Sequence, residues 1–135
     1  MKPRGLDHIG IAVRSLEKAV RVYSLAFGVK FSAPSKAADF GVKIAKGDLA
    51  GDTIELLEPM SSDSTVGRFL KKRGEGIHHI AVAVGDIEKA LDDLRRAGVR
   101  LIDERPRIGA SGRKVAFVSP RSSHGVLIEL CEAKK

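Results

Sequence analysis

Two stretches of this sequence open an alternating apolar strand with an imidazole: LDHIGIAV at residues 6–13 and IHHIAVAV at residues 77–84. Strand side chains alternate between faces, so residues two apart share one. In the first stretch Ile9, Ile11 and Val13 make a packing face, while His8 shares the other with Gly10 and Ala12. In the second, Ile80, Val82 and Val84 pack, and His79 lies in line with Ala81 and Ala83. Small residues beside a histidine leave room for a guest. His78 has packing-face parity, which suits a rim or hydrogen-bonding residue better than a ligand.

Two further strands carry a carboxylate of opposite parity to its apolar neighbours: Glu55 between Ile54 and Leu56, and Glu129 between Ile128 and Leu130. A carboxylate on the inner face of a sheet must be paired, protonated or metal-bound, because a lone buried charge costs too much. No lysine or arginine occupies comparable inner positions in all four strands, although Lys43 could serve one partner. A single strand histidine is more often a satisfied structural residue, and a single strand glutamate more often faces solvent. It is the symmetric quartet of His8, Glu55, His79 and Glu129 that points to a divalent metal. Two neutral nitrogens and two anionic oxygens suit Mn, Fe, Co, Ni or Zn and leave positions for substrate oxygens.

The elements that must position these residues come in two copies. Shifting the chain on itself by 71 positions (79 minus 8) lays LDHIGIAVRSLEKAVRVY over IHHIAVAVGDIEKALDDL. Each copy then reads as a strand, a helix capped by Ser15 or Asp86 and ending near Gly28 or Gly98, and three more strands. These are VKFSA, FGVKIAK and DTIELLEP in the first copy, and VRLIDE, RKVAFVSP and GVLIELCE in the second. The repeats span 6–58 and 77–132, joined by a linker helix near 64–74, and 135 residues suffice for one domain. The expected fold class is α+β: two tandem β-α-β-β-β modules forming one curved mixed sheet around the metal site.

Composition narrows the rest. The chain is 43% hydrophobic and 30% charged, with no membrane span or signal-like segment, so a soluble cytoplasmic protein is expected. The single cysteine, Cys131, cannot make an internal disulfide and reads as a packing residue. A net charge of +7 invites a nucleic-acid reading, but no Trp, one Tyr and five Phe leave little for base stacking. No nucleic acid and no membrane are therefore expected as partners. Polyanionic small molecules fit the charge as well. His124, in SPRSSHG, reads as a turn residue, and RIGASGRK lacks the spacing of a phosphate-binding P-loop.

The paired units with His, Glu, His and Glu in this order resemble the vicinal oxygen chelate superfamily, whose two modules form a cupped sheet around a divalent metal. More narrowly, IELLEP, STVGRFLKKRGEGIHHIAVAV, GVRLIDERPRIGASGRKVAFVSP and GVLIEL resemble its methylmalonyl-CoA epimerase family. That resemblance implies interconversion of the (2R) and (2S) epimers of an acyl-CoA substrate through a metal-stabilised enolate thioester, and it implies a homodimer. It makes His8, Glu55, His79 and Glu129 the metal ligands and Glu129 an acid/base. Some relatives have glutamine at the position of Glu55; glutamate there resembles the ligand set of lactoylglutathione lyase. In the epimerases a glutamate on the third strand of the first module serves as second base, whereas FGVKIAKG offers Lys43 and no carboxylate. Lys43 is thus the candidate second proton donor or carboxylate clamp, with Glu55 or a one-base route through water also open. The loop RIGASGRK would cover the acyl group, and Arg113, Lys114 or Arg121 would meet the CoA phosphates. The alternatives are a glyoxalase I-type isomerase and a non-catalytic small-molecule-binding module of the same fold. Extradiol dioxygenases share the fold too, with an iron triad of two histidines and one glutamate.

Overall fold

In both repeats a strand hands over to a capped helix. A computed structural model describes residues 1–134, in which β1 (Pro3–Ala12) leads to α1 (Leu16–Phe27) and β6 (Gly76–Val84) leads to α3 (Ile87–Arg96). The Ser15 side chain accepts from the Lys18 amide and Asp86 from the Lys89 amide, each satisfying a donor that the first helical turn leaves open. Gly28, at φ 68°, ends α1 in the left-handed conformation that costs glycine nothing. A second carboxylate reinforces each start: Glu58 accepts from the Leu16 amide at 2.9 Å, and Glu132 from the Ile87 amide at 3.2 Å. Both stand three residues beyond a candidate metal ligand, so they point to the helix side while Glu55 and Glu129 point away.

The described residues fall into two compact units, one of residues 8–78 and one of residues 1–7 with 79 onward. In the first, the strand order is β2 (Lys30–Phe31), β4 (Val42–Leu49), β5 (Asp52–Pro59), β1, with β3 (Ser35–Ala37) paired to β4. Strand β5 runs parallel to β1 and antiparallel to β4. Helix α1 packs Leu16 with Val13, Ala45 and Leu56 on one face. The other face holds Ala12, Val42 and Leu57 beneath Val66 and Leu70 of α2 (Thr65–Arg73), the expected linker helix, capped at Ser64.

The second unit orders β6, β9 (Ile128–Glu132), β8 (Lys114–Val118), β7 (Arg107–Ile108), with β9 parallel to β6 and antiparallel to β8. Ile87, Ala90 and Leu91 of α3 close a core with Val84, Ala116, Val118 and Leu130. Parallel and antiparallel pairs together make the β structure mixed, and the class is α+β as expected from the sequence.

Two segments differ from the sequence reading. VRLIDE makes only an isolated bridge, Leu101 to Val118. The reason is local: the Asp103 carboxylate takes the Phe117 amide at 2.9 Å, the donor a continuing ladder would need, and pairing resumes only at Arg107–Ile108. VKFSA yields just Lys30–Phe31, and Pro34, which has no N–H to donate, separates it from the extra strand Ser35–Ala37. No helix among the described residues is long and apolar enough to cross a membrane.

Candidate metal centre

The register of each parallel strand pair places a glutamate beside a small residue. Glu55 lies across from Gly10, and Glu129 across from Ala81. Each histidine stands two residues before that small residue and so shares its face. His8 Nδ1 lies 3.4 Å from Glu55 Oε2, and His79 Nε2 lies 3.5 Å from Glu129 Oε1. His8, His79 and Glu129 are buried, at 6%, 5% and 8% exposure, and Glu55 is partly covered. The structure thus brings together His8 with Glu55, and His79 with Glu129.

These separations bear on what the pairs can hold. A charge-assisted N–H···O bond closes to about 2.7–2.9 Å, shorter than either pair. Two donors each about 2.1 Å from one ion, at tetrahedral or octahedral angles, lie about 3.0–3.4 Å apart. Imidazole nitrogen with carboxylate oxygen is also a donor set that first-row divalent metals accept. Each pair therefore fits as one edge of a metal coordination shell.

The surroundings of the two pairs differ. Phe117 is the cross-strand partner of Glu129, and its ring meets His79 edge-on at 5.9 Å between centroids. The partner of Glu55 is Lys46. Lys43 pairs in register with Glu58, on the side that faces α1, with its Nζ 3.6 Å from Glu58 Oε2. Strand parity turns it away from His8 and Glu55. The residue missed was Lys46, three positions on and therefore on the other face. VKIAK alternates too weakly to show it, because Val42 and Ile44 on one side and Ala45 on the other are all apolar.

The basic residues expected at the CoA phosphates are placed unequally. Arg113 makes a bidentate pair with Asp7, at 2.7 and 2.9 Å, with both side chains largely covered. In this structure its guanidinium is engaged by that carboxylate. Lys114 meets Glu88 at 2.8 Å on the surface. That hydrogen bond holds the Glu88 carboxyl below its ordinary range and the Lys114 ammonium above its own. Arg121 is exposed just after β8, with no ion pair among the described residues. The RIGASGRK loop is the turn of the β7–β8 hairpin, closed by Gly109 donating to the Arg113 carbonyl at 2.8 Å.

The remaining singled-out residues behave as packing and turn residues. The His78 ring contacts Phe69 edge-on at 5.0 Å. His124 takes a positive φ of 55° in the turn before β9. Cys131 is buried, and burial first, then the nearby Glu129 charge, pushes its thiol pKa far up.

The sequence pattern of the Glyoxalase/Bleomycin resistance protein/Dioxygenase superfamily matches residues 7–117. A mitochondrial methylmalonyl-CoA epimerase of Dictyostelium discoideum is 41% identical over 128 residues, 94% of this chain and 77% of the relative. The chain belongs to that superfamily, within its methylmalonyl-CoA epimerase family. The crystal structure of methylmalonyl-CoA epimerase from Mycobacterium tuberculosis superposes with a TM-score of 0.93 at 35% identity, over 98% of this chain and 90% of that one. A methylmalonyl-CoA epimerase in complex with methylmalonyl-CoA and NH4+ gives 0.91 at 36% identity, over 98% and 96%. The fold expected from the sequence is the fold of these solved family members.

Proposed function

We propose that this protein is an isomerase that interconverts (2R)- and (2S)-methylmalonyl-CoA by moving the proton at C2. The observation that carries the reading is the buried imidazole–carboxylate pair repeated in each half, on a face cleared by Gly10 or Ala81. Family membership gives those pairs their substrate: close relatives are named for this epimerisation, and one was solved with methylmalonyl-CoA.

In this reading the two repeats act as one domain with one curved sheet, and His8, Glu55, His79 and Glu129 hold a single divalent ion: Co, Mn, Ni, Zn or Fe. When bound, the metal supplies Lewis-acid neutralisation of the negative charge that develops on the thioester oxygen, an effect worth several kcal/mol. Glu129 removes the C2 proton. Such a placed base contributes about a hundred- to ten-thousand-fold. The proton must return on the opposite face, and with Lys43 turned toward α1, Glu55 is the carboxylate left for that part. Phe117 excludes water beside His79 and Glu129. Exposed Arg121 and Lys114 meet the CoA phosphates, the lysine by exchanging its surface partner Glu88. The protein works as a cytoplasmic homodimer.

The test is proton NMR of methylmalonyl-CoA in D2O with metal-loaded protein. Loss of the C2 proton signal faster than the uncatalysed rate is expected. No exchange with metal bound, together with turnover of the glutathione hemithioacetal, would replace the epimerase reading with a glyoxalase one.

A further inference from the structure

The two half-sites match at the histidine, at the small residue and at the glutamate, and part company at the next strand. Across from Glu129 stands Phe117; across from Glu55 stands Lys46. Cross-strand partners in an antiparallel pair project to the same side, with their Cβ atoms about 4.5–5.5 Å apart. Lys46 therefore shares the face of Glu55 and His8. It is exposed and makes no ion pair among the described residues. Lys43, on the same strand, has Glu58, and Lys114 has Glu88. A cation left open beside a metal-ligand pair is placed for an anion that arrives from outside.

The substrate class proposed above has such an anion. Carbon 2 of a malonyl-type thioester bears a free carboxylate and an alkyl group, one charged and one apolar. Resting on that reading, we infer that Lys46 binds the free carboxylate of the acyl group and selects malonyl-type thioesters over simple acyl thioesters.

The experiment compares two ligands that share the CoA moiety and differ in the carboxylate. Binding of methylmalonyl-CoA and of propionyl-CoA to metal-loaded protein is measured by calorimetry for the wild type, Lys46→Ala and Lys46→Arg. Loss of a charge-assisted contact predicts about 10- to 100-fold weaker binding of methylmalonyl-CoA to Lys46→Ala. Propionyl-CoA should bind it as it binds the wild type, and Lys46→Arg should recover most of the loss. In turnover, Lys46→Ala should raise KM more than it lowers kcat. Equal weakening of both ligands would assign Lys46 to a CoA phosphate and overturn the inference, as would no change in either. If the wild type neither binds methylmalonyl-CoA nor exchanges its C2 proton, the epimerase reading itself falls and takes this assignment with it.

Discussion

The two repeats agree where a metal would constrain them and differ where a substrate would. His8, Gly10 and Glu55 in one repeat, and His79, Ala81 and Glu129 in the other, occupy corresponding register positions. Even the carboxylates that cap the helices, Glu58 and Glu132, correspond. One step across the sheet the likeness ends, with Lys46 against Phe117. Duplication supplies a symmetric donor set from one folding unit used twice. An asymmetric substrate then needs only a few divergent neighbours, and the strand next to the glutamate is where divergence leaves the ligands in place.

Replacing the carboxylates one at a time should break the likeness most strongly. Glu129→Gln keeps the size and the hydrogen-bonding oxygen but removes the proposed base, so C2 deuterium exchange should fall about a hundred- to ten-thousand-fold with the fold intact by circular dichroism. Glu55→Gln should cost less in exchange at the first face, since Glu129 remains, while stopping net inversion. Following deuterium uptake and epimer composition in the same sample separates the two.

The helix caps offer a comparison at smaller scale. Glu132→Ala should destabilise the fold by about 1 kcal/mol, the usual worth of a helix-capping side chain. Glu58→Ala should cost a similar amount, because the contact is the same one. Urea unfolding measures both, and a difference of several-fold would show that the repeats are not equivalent beneath the site. Lys43→Ala, which removes only a partly exposed partner of Glu58, should change stability by about 0–1 kcal/mol and leave exchange unaltered. The smallest effect is expected at the surface pair peculiar to the second repeat. Glu88 titrates low because Lys114 stabilises its charged form, so Lys114→Ala should move its NMR titration midpoint upward, toward the ordinary carboxylate range.

Much of this was legible in the sequence because it is written in parity. The period of two placed His8 and Glu55 on the face opposite Ile9, Ile11, Ile54 and Leu56, the 71-residue shift repeated the pattern, and Ser15, Asp86 and Gly28 marked helix ends whose chemistry is local. What was illegible depended on partners distant in the chain. Nothing near Arg113 shows that Asp7, 106 residues away, takes up its guanidinium. Lys43 and Lys46 differ only in parity, and the flanking residues are apolar on both sides, so the register with β5 had to be seen. VRLIDE has strand composition, yet Asp103 uses its side chain where the backbone would have paired. The capping by Glu58 and Glu132 did carry a signal, a carboxylate three residues past each candidate ligand in both repeats.

In the proposed site one ion takes ligands from His8, Glu55, His79 and Glu129. The most direct measurement is the metal content of dialysed protein by mass spectrometry, for the wild type, His8→Ala and His79→Ala after loading with cobalt. One tightly held ion per chain in the wild type, lost in both variants although each removes a residue from a different repeat, is the result predicted. Full metal retained in either variant, or two independent ions per chain each lost with its own histidine, would contradict it.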